Sequence, residues 1–191
     1  MNIKLSILIP SVPERLPYLT RLVDELSRQA AGKPVEFLVL MENKKRTIGS
    51  KRNALIEQAR GQFITFVDDD DRLTGYYVDR LLQEIEAVPQ SDCIVFDVAV
   101  HFNGRFYKLC KYGKEHAYGQ DASYFYRKPN HLMCYARRIA ERYKFLDINH
   151  GEDDEWGERV SQAIQIQTRI RQVLYHYDYV EKPDSWWELK D

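Results

Sequence analysis

Apolar segments alternate with amphipathic segments along the first hundred residues, and this alternation restricts the fold more than any other feature. Short apolar runs occupy residues 5–10, 35–41, 62–67 and 93–100. Each has the length and composition of a buried strand. Between them, apolar residues recur at helical spacing in residues 14–29, 47–60 and 74–87. Strands that alternate with helices predict βαβ units and a largely parallel sheet covered by helices.

The second half of the chain contains shorter and more varied elements. Asn103-Gly104, between aromatic and β-branched residues, predicts a tight hairpin. The patterns further along indicate a strand at 118–127, short helices at 135–143 and 152–164, and a strand at 166–179. We therefore expect one domain over residues 1–191, with a nucleotide-binding half at 1–95 and a second substrate pocket in 96–191.

Composition and charge disfavour several classes of protein. The 28 basic and 29 acidic residues give a formal charge of −1, which disfavours a protein that coats nucleic acid without specificity. Cys93, Cys110 and Cys134 lack CxxC spacing, which argues against a disulfide framework or a cysteine zinc site and fits a reducing compartment. No apolar run approaches the roughly 20 residues of a membrane span, and no signal-peptide pattern is present. We expect a cytoplasmic location without a membrane span.

Four consecutive aspartates, at residues 68–71, directly follow the third predicted strand. In open α/β sheets, ligands bind at the carboxyl ends of the strands. Carboxylates at such a position suit a hard divalent cation that bridges to phosphate oxygens. Adjacent carboxylates also raise one another's pKa unless a cation neutralises them. The alternative is a solvated acidic turn without function, although such turns more often include Gly, Asn or Ser.

Two enzymatic interpretations share this acidic cluster. In the first, Asp68 and Asp70 belong to a site for a metal and a nucleotide-sugar. In the second, Asp69 and Asp71 resemble the DxDx(L/T)T motif of haloacid-dehalogenase-type phosphatases, with Asp69 as the phosphoryl nucleophile. That motif normally follows the first strand of its fold, whereas here it follows the third. No downstream Ser/Thr and Lys pattern completes it.

Three blocks of the chain resemble family-2 glycosyltransferases of the GT-A fold. They are LSILIPSVPERLPYL at 5–19, SKRNALIEQARGQFITFVDDDD at 50–71 and GEDDEWGERV at 151–160. The segment Pro129-Asn130-His131 also resembles that of short bacteriophage and bacterial members. The resemblance implies an α/β fold of GT-A type, with a mixed, mainly parallel sheet flanked by helices and a smaller β-hairpin region on the acceptor side.

The resemblance also implies an activity and a donor site. The expected reaction is metal-dependent transfer of one sugar from a nucleotide-sugar donor, a UDP-sugar, to a hydroxyl acceptor, with inversion and with Mn²⁺ or Mg²⁺ as cofactor. Asp68 falls at the position that contacts the ribose, and Asp70 at the position that coordinates the metal. Glu42 stands where the family usually has an acidic pair, which leaves the base specificity open. The expected donor-binding residues are Pro10, Ser11, Glu14, Arg15, Glu42, Lys51, Arg52, Asp68, Asp69 and Asp70, and Lys51 is included for its reach towards phosphates.

The same resemblance places Asp153 at the catalytic base. A carboxylate about 3 Å from the acceptor hydroxyl can take its proton, and a helix N-terminus keeps such a carboxylate ionised. Acidic residues are also common at helix starts without any function. Glu152 and His131 are expected at the acceptor, and His176 as a late metal ligand. For the two histidines, a structural role in a loop or in an aromatic cluster is the alternative.

The acceptor is left open between a glycan and a modified DNA base. Processive, polymerising members of the family carry a Gln-x-x-Arg-Trp motif and membrane helices, and neither is present in this sequence, which predicts a single transfer to a soluble acceptor. If the acceptor were DNA, a basic cluster would follow the phosphates. This cluster comprises Arg127, Lys128, Arg137, Arg138, Arg142 and Lys144. The non-enzymatic alternative is a module that binds sugar-nucleotides without turnover. The sequence does not predict the oligomeric state.

Overall fold

A parallel three-stranded unit forms the N-terminal part of the sheet in the computed structural model, which describes residues 2–180. Strand β1 (Leu5–Ser11) lies between β2 (Val35–Met41) and β3 (Phe63–Phe66) and is parallel to both. Every residue of β1 is buried, as its apolar composition and central position require. Because the three strands run in one direction, their carboxyl ends meet at the same edge of the sheet.

Three helices connect and follow these strands. A 3₁₀ turn (Pro13–Arg15) leads into α1 (Leu16–Ala30), and α2 (Ile48–Gln58) and α3 (Tyr77–Ala87) follow β2 and β3. Thr47 caps α2, since its hydroxyl accepts a hydrogen bond from the Ser50 amide. The βαβ organisation predicted from the sequence is confirmed, with helix ends that shift by a few residues.

The rest of the sheet is mixed. The remaining strands are β4 (Arg72–Leu73), β5 (Cys93–Phe102), β6 (Arg105–Tyr112), β7 (Gly119–Gln120), β8 (Tyr124–Arg127), β9 (Cys134–Ala136) and β10 (Gln167–Tyr179). Short β9 joins the two parts, because it pairs antiparallel with both β3 and the start of β5. Strand β5 then runs parallel to β10 and antiparallel to β6. Within residues 2–180, parallel pairing is thus limited to β2-β1-β3, β5-β10 and β6-β8.

Two local predictions in the second half have different outcomes. The hairpin is confirmed: Asn103 and Gly104 connect β5 to β6 with φ values of 49° and 79°. The single helix predicted over 135–143 is wrong in its first part. Tyr135 extends β9 and fills the gap between β3 and β5, so pairing in the sheet overrides local helix preference, and α4 begins only at Arg137 (Arg137–Arg142).

A buried aromatic group fixes α5 (Glu152–Ser161) to the sheet. Trp156 is fully buried and stacks on Phe145, with ring centroids 4.6 Å apart, while Tyr135 meets it edge-on at 4.8 Å. The indole nitrogen of Trp156 donates a hydrogen bond to the carbonyl oxygen of Tyr143 at 2.5 Å. These contacts hold the beginning of α5, which carries Asp153, in a set position against β9.

Other sequence expectations concern thiols and membranes. Cys93, Cys110 and Cys134 are buried, and none of them forms a disulfide. None of the helices within residues 2–180 combines the length and apolar character that a bilayer crossing requires. Residues 181–191 were predicted to belong to the half of the domain with the second substrate pocket, and they lie outside the described residues.

Gly49 provides a test of how closely the segment before α5 packs on α2. A methyl group at Gly49 would lie 1.8 Å from the carbonyl oxygen of Leu146, so Gly49→Ala must push two backbone segments apart. We expect this variant to lose about 1–3 kcal/mol of unfolding free energy in urea titrations. Gly75 has no atom within 4 Å of the same position, so Gly75→Ala should change stability by less than about 1 kcal/mol. Equal effects of the two variants would contradict this packing.

Candidate functional site

The predicted donor-side residues come together at the carboxyl edge of β1, β2 and β3. They are contributed by the end of β1 (Pro10, Ser11), the 3₁₀ turn (Glu14, Arg15), the residue after β2 (Glu42), the helix α2 (Lys51, Arg52) and the turn after β3 (Asp68, Asp69, Asp70). The edge is therefore assembled from the parallel strands together with the turns and the helix that follow them. Glu14 lies at its periphery, where its carboxylate pairs with Lys44 at 2.8 Å.

Asp69 ties three of these segments together. Its side chain is 1% exposed, Ser11 Oγ donates to Oδ2 at 2.5 Å, and Arg15 Nη1 donates to Oδ1 at 2.8 Å. Asp71 is equally engaged, because Tyr175 Oη donates to one carboxyl oxygen at 2.7 Å and the Asp178 amide donates to the other at 2.9 Å. Neither carboxyl group is open to a substrate, as the nucleophile of the phosphatase interpretation would have to be.

Asp70 is more open to a ligand than Asp68, since 35% of its side chain is exposed against 25% for Asp68. Arg15 Nη1 lies 3.1 Å from Asp70 Oδ1. Within residues 2–180, no three His, Cys, Asp or Glu side chains are arranged to hold a metal ion. Mg²⁺ commonly binds through one or two carboxylates, with substrate phosphates and waters as the other ligands. Asp70 fits this mode of binding, in which the substrate supplies most of the coordination.

A buried network of charged side chains links the carboxyl edge of β1, β2 and β3 to the start of α5. Arg52 Nη2 lies 3.3 Å from Asp68 Oδ1, and its Nε lies 3.4 Å from Glu152 Oε1. His131 Nε2 lies 3.2 Å from Asp68 Oδ2, and its Nδ1 lies 3.4 Å from Asp153 Oδ2. The imidazole thus bridges the aspartate after β3 and the aspartate at the start of α5.

Opposing effects set the charge states in this network. Burial would raise the pKa of Asp68 and of Asp153, but the neighbouring Arg52 and His131 outweigh it and hold both below the usual aspartate value. Burial and Arg52 would lower the pKa of His131, yet the carboxylates of Asp68 and Asp153 reverse this and raise it. Burial raises the pKa of Glu152. Asp153 is therefore ionised at neutral pH beside a histidine that favours its charged form.

One polar atom of this network, Arg52 Nη1, lacks a partner among the described residues, and the Arg52 side chain is 4% exposed. His131 Nδ1, by contrast, faces the Asp153 carboxylate. Buried polar groups in proteins are almost always satisfied, so Arg52 Nη1 points to a ligand. Arg52 and His131 both line the cavity described next.

A cavity of about 770 Å³ opens beside Asp153. Asp68, His131 and Asp153 line this cavity, and many of the other lining residues are aromatic and form what we call the aromatic wall. The aromatic residues of the wall are Phe102, Tyr107, Tyr112, Tyr118, Phe125, Tyr177 and Tyr179. Sequence reasoning missed these residues, although alternation along the last strand puts residues 177 and 179 on one face and could have revealed part of the wall.

His176 is not brought together with Asp70. It lies next to Tyr177 on β10 and so points to the other face of the sheet. There its ring is 5.3 Å from that of His101, and burial together with the nearby Arg72 lowers the pKa of His176. The two predicted metal ligands therefore occupy separate places.

Lys51 and Glu42 form an ion pair at the other end of the edge. The lysine side chain is 7% exposed, and its Nζ lies 3.3 Å from Glu42 Oε1. The second oxygen of Glu42 accepts hydrogen bonds from the amides of Lys45 and Arg46 at 2.8 and 3.3 Å, so the glutamate also shapes its own turn. This ion pair therefore marks the end of the edge that lies beside β1 and β2.

Ion pairs neutralise most of the basic cluster that was considered for DNA. The pairs are Lys128 with Glu158, Arg137 with Glu141, Arg138 with Asp92, and Lys144 with Glu57. Arg127 instead packs over the rings of Tyr118 and Phe125, at 5.2 and 5.3 Å. The cluster is therefore largely compensated within the protein.

Solved structures from S. aureus share this fold at 15% sequence identity. The structure of TarS 1–349 in complex with UDP-GlcNAc superposes with a TM-score of 0.66, covering 94% of this chain and 60% of that one. The structure of TarS 1–349 in complex with UDP superposes with a TM-score of 0.66 and covers 93% of this chain and 61% of that one. A further TarS structure superposes with a TM-score of 0.68 and covers 93% of this chain and 37% of that one. The chain thus spans about 60% of the length of the TarS 1–349 structures.

The family assignment comes from the sequence itself. No curated protein matches the chain. The family model described as "Glycosyl transferase family 2" matches residues 21–148, which is most of the chain. Together with the shared architecture, this match confirms the predicted GT-A fold. The chain belongs to glycosyl transferase family 2.

Proposed function

We propose that the chain is a metal-dependent, inverting glycosyltransferase that moves one sugar from a nucleotide-sugar donor to a hydroxyl acceptor. The observation that carries this proposal is the buried network of Arg52, Asp68, His131 and Asp153, which connects the donor edge to a cavity. Membership of family 2 supports sugar transfer. The UDP and UDP-GlcNAc in the similar TarS structures favour a UDP-sugar as donor.

Arg52 and the open aspartates suit a nucleoside diphosphate. The Nη1 group of Arg52 has a hydrogen to donate, and charge-assisted hydrogen bonds to phosphate are among the strongest in proteins. Asp68 would meet the ribose, and Asp70 would hold Mn²⁺ or Mg²⁺. When bound, the metal ion neutralises the negative charge of the leaving diphosphate. Pro10, Ser11 and Glu42 would bound the space for the base.

Asp153 would act as the general base. It is ionised, 29% of its side chain is exposed, and it lines the cavity. The acceptor oxygen bonds to the anomeric carbon as the bond from that carbon to the diphosphate oxygen breaks, and the hydroxyl proton passes to Asp153. One displacement from the side opposite the leaving group inverts the configuration. His131 would position Asp153 and keep it ionised.

Replacing the base separates catalysis from donor binding. Asp153→Asn removes the proton acceptor and retains the shape, so we expect the rate of sugar transfer to fall by about 10²–10⁴-fold. The dissociation constant for UDP should stay within about twofold, since Asp153 is assigned to the acceptor. Glu155→Gln is the matched control. Glu155 lies on the same helix, but it pairs with Arg159 and not with the network around His131. Transfer would be measured with UDP-sugars and Mn²⁺ or Mg²⁺, and again with EDTA.

Several outcomes would contradict this assignment. Full activity of Asp153→Asn would exclude it as the base. Activity that persists in EDTA would exclude a required metal. UDP binding without any turnover in a wide acceptor screen would favour the binding module over the enzyme.

Removing the charge of His131 should change the pH profile of the reaction. Because His131 helps to keep the pKa of Asp153 low, His131→Gln should raise that pKa. Activity that needs an ionised base is lost as pH falls through the pKa of that base, so the acid limb of kcat/KM should move to higher pH. His116→Gln, a histidine outside the cavity, should leave the limb in place. An unchanged acid limb in His131→Gln would show that His131 does not control Asp153.

A further inference from the structure

We propose that Tyr175 is a positioning residue for donor binding, because its hydroxyl group fixes both ends of the acidic turn that carries Asp70. This inference rests on the proposed function and gives a role in it to a residue outside the edge of β1, β2 and β3. Tyr175 lies on β10 and is fully buried. It stands 107 and 104 positions along the chain from the two residues that its hydroxyl contacts. Being buried, it acts on a ligand only through the turn.

The four aspartates at residues 68–71 form one tight turn. The amide of Asp71 donates a hydrogen bond to the carbonyl oxygen of Asp68 at 3.2 Å, so Asp69 and Asp70 are the two central residues of a β-turn. Asp70, the proposed metal ligand, lies within this turn. The position of its carboxylate therefore depends on how the first and the last residue of the turn are held.

Strand β10 holds both of these residues. Tyr175 Oη accepts a hydrogen bond from the Asp68 amide at 3.1 Å and donates one to Asp71 Oδ2 at 2.7 Å. The Asp178 amide, further along the strand, donates to Asp71 Oδ1 at 2.9 Å. A hydroxyl group can accept and donate at once, and hydrogen bonds weaken steeply when they are misaligned. The Tyr175 hydroxyl thus fixes the spacing and the direction of the two ends of the turn.

The opposite side of the turn is attached to the segment after β1. Arg15 Nη1 donates to Asp69 Oδ1 at 2.8 Å, and Arg21 Nη2 donates to the carbonyl oxygen of Asp71 at 3.1 Å. The turn is therefore held from two sides, by arginines of the 3₁₀ turn and α1 and by β10. Asp70, more exposed than the aspartates on either side of it, is presented between these attachments.

Stability alone does not account for the contact between Tyr175 and Asp71. Burying a carboxyl group costs free energy, and apolar side chains of similar shape in place of both partners are often equally stable. The carboxyl group of Asp71 also lies beside those of Asp68 and Asp70, whose negative charges oppose its own. What the contact supplies is direction, and Mg²⁺ requires nearly ideal octahedral placement of its ligands.

Tyr175→Phe tests the role, because it removes only the hydroxyl group. We expect the affinity for UDP in the presence of Mn²⁺ to fall about tenfold in calorimetric titrations, as for the loss of a hydrogen bond to a charged group. The affinity for UDP without metal should change by less than about twofold, because the Asp68 side chain keeps its contacts with Arg52 and His131.

Tyr76→Phe is the matched control. Its hydroxyl also contacts β10, but it donates to the carbonyl oxygen of Val173 at 3.3 Å. Removing it should leave both UDP affinities within about twofold of wild type. Melting temperatures without ligand show whether each variant is folded. If Tyr175→Phe does not fold, Asp71→Asn disturbs the same hydrogen bond and should produce the same loss with Mn²⁺.

A double variant separates positioning from a general structural role. If Tyr175 acts through Asp70, Tyr175→Phe should weaken UDP binding by less than about twofold when it is added to Asp70→Asn, with Mn²⁺ present. A hydroxyl group that only stabilises the fold would weaken UDP binding by the same factor in both backgrounds, and this result would overturn the inference.

The outcomes distinguish this inference from the proposed function. Equal Mn²⁺-dependent affinity of wild type and Tyr175→Phe, or a loss that is the same with and without Mn²⁺, would overturn the inference alone. Wild-type protein that binds UDP with Mn²⁺ but transfers no sugar would contradict the proposed function, while the metal-dependent loss in Tyr175→Phe would still support the positioning role. Wild-type protein that gains no UDP affinity from Mn²⁺ would overturn both.

Discussion

The buried ion pairs around Arg52 are the interaction on which the rest of the site depends. A guanidinium group that is 4% exposed is tolerated in a protein interior only when carboxylates compensate it, and here Asp68 and Glu152 do so from two distant parts of the chain. His131 extends the same compensation to Asp153. Replacing one of these residues would leave another charge buried and unpaired. The network therefore links side chains from both halves of the chain at the place where the proposed reaction occurs.

The sheet explains why these residues meet. The parallel strands β1, β2 and β3 deliver the donor-side residues to one edge, and β9 then connects β3 to β5 through antiparallel pairing. This connection brings the segment with His131 next to the acidic turn after β3. Strands β5, β6, β8 and β10 carry most of the aromatic wall, so in the proposed reaction the two substrates would approach from different parts of one sheet.

Much of the fold could be predicted from the sequence, because apolar periodicity reports burial directly. The strand at residues 35–41 was predicted with its observed limits, although it lies at the edge of the sheet and is partly exposed rather than buried. The turn was predicted from the residue pair Asn103-Gly104, and both residues have the positive φ values that such a turn requires. Long-range pairing could not be predicted: Tyr135 became a strand because two other strands flank it. The site residues remain predictions. Their placement could not be read from the sequence, because the bridging position of His131 depends on a contact across 63 positions and the strand face of His176 depends on the register of the sheet.

The central claim is that a nucleoside diphosphate and a divalent ion bind where β1, β2 and β3 end. A crystal structure with UDP and Mn²⁺ tests this most directly. The account predicts Mn²⁺ on Asp70, bridging to the diphosphate, with Arg52 donating a hydrogen bond to the nucleotide and Asp153 left open to the cavity. UDP or Mn²⁺ bound elsewhere, with this edge of the sheet empty, would contradict it.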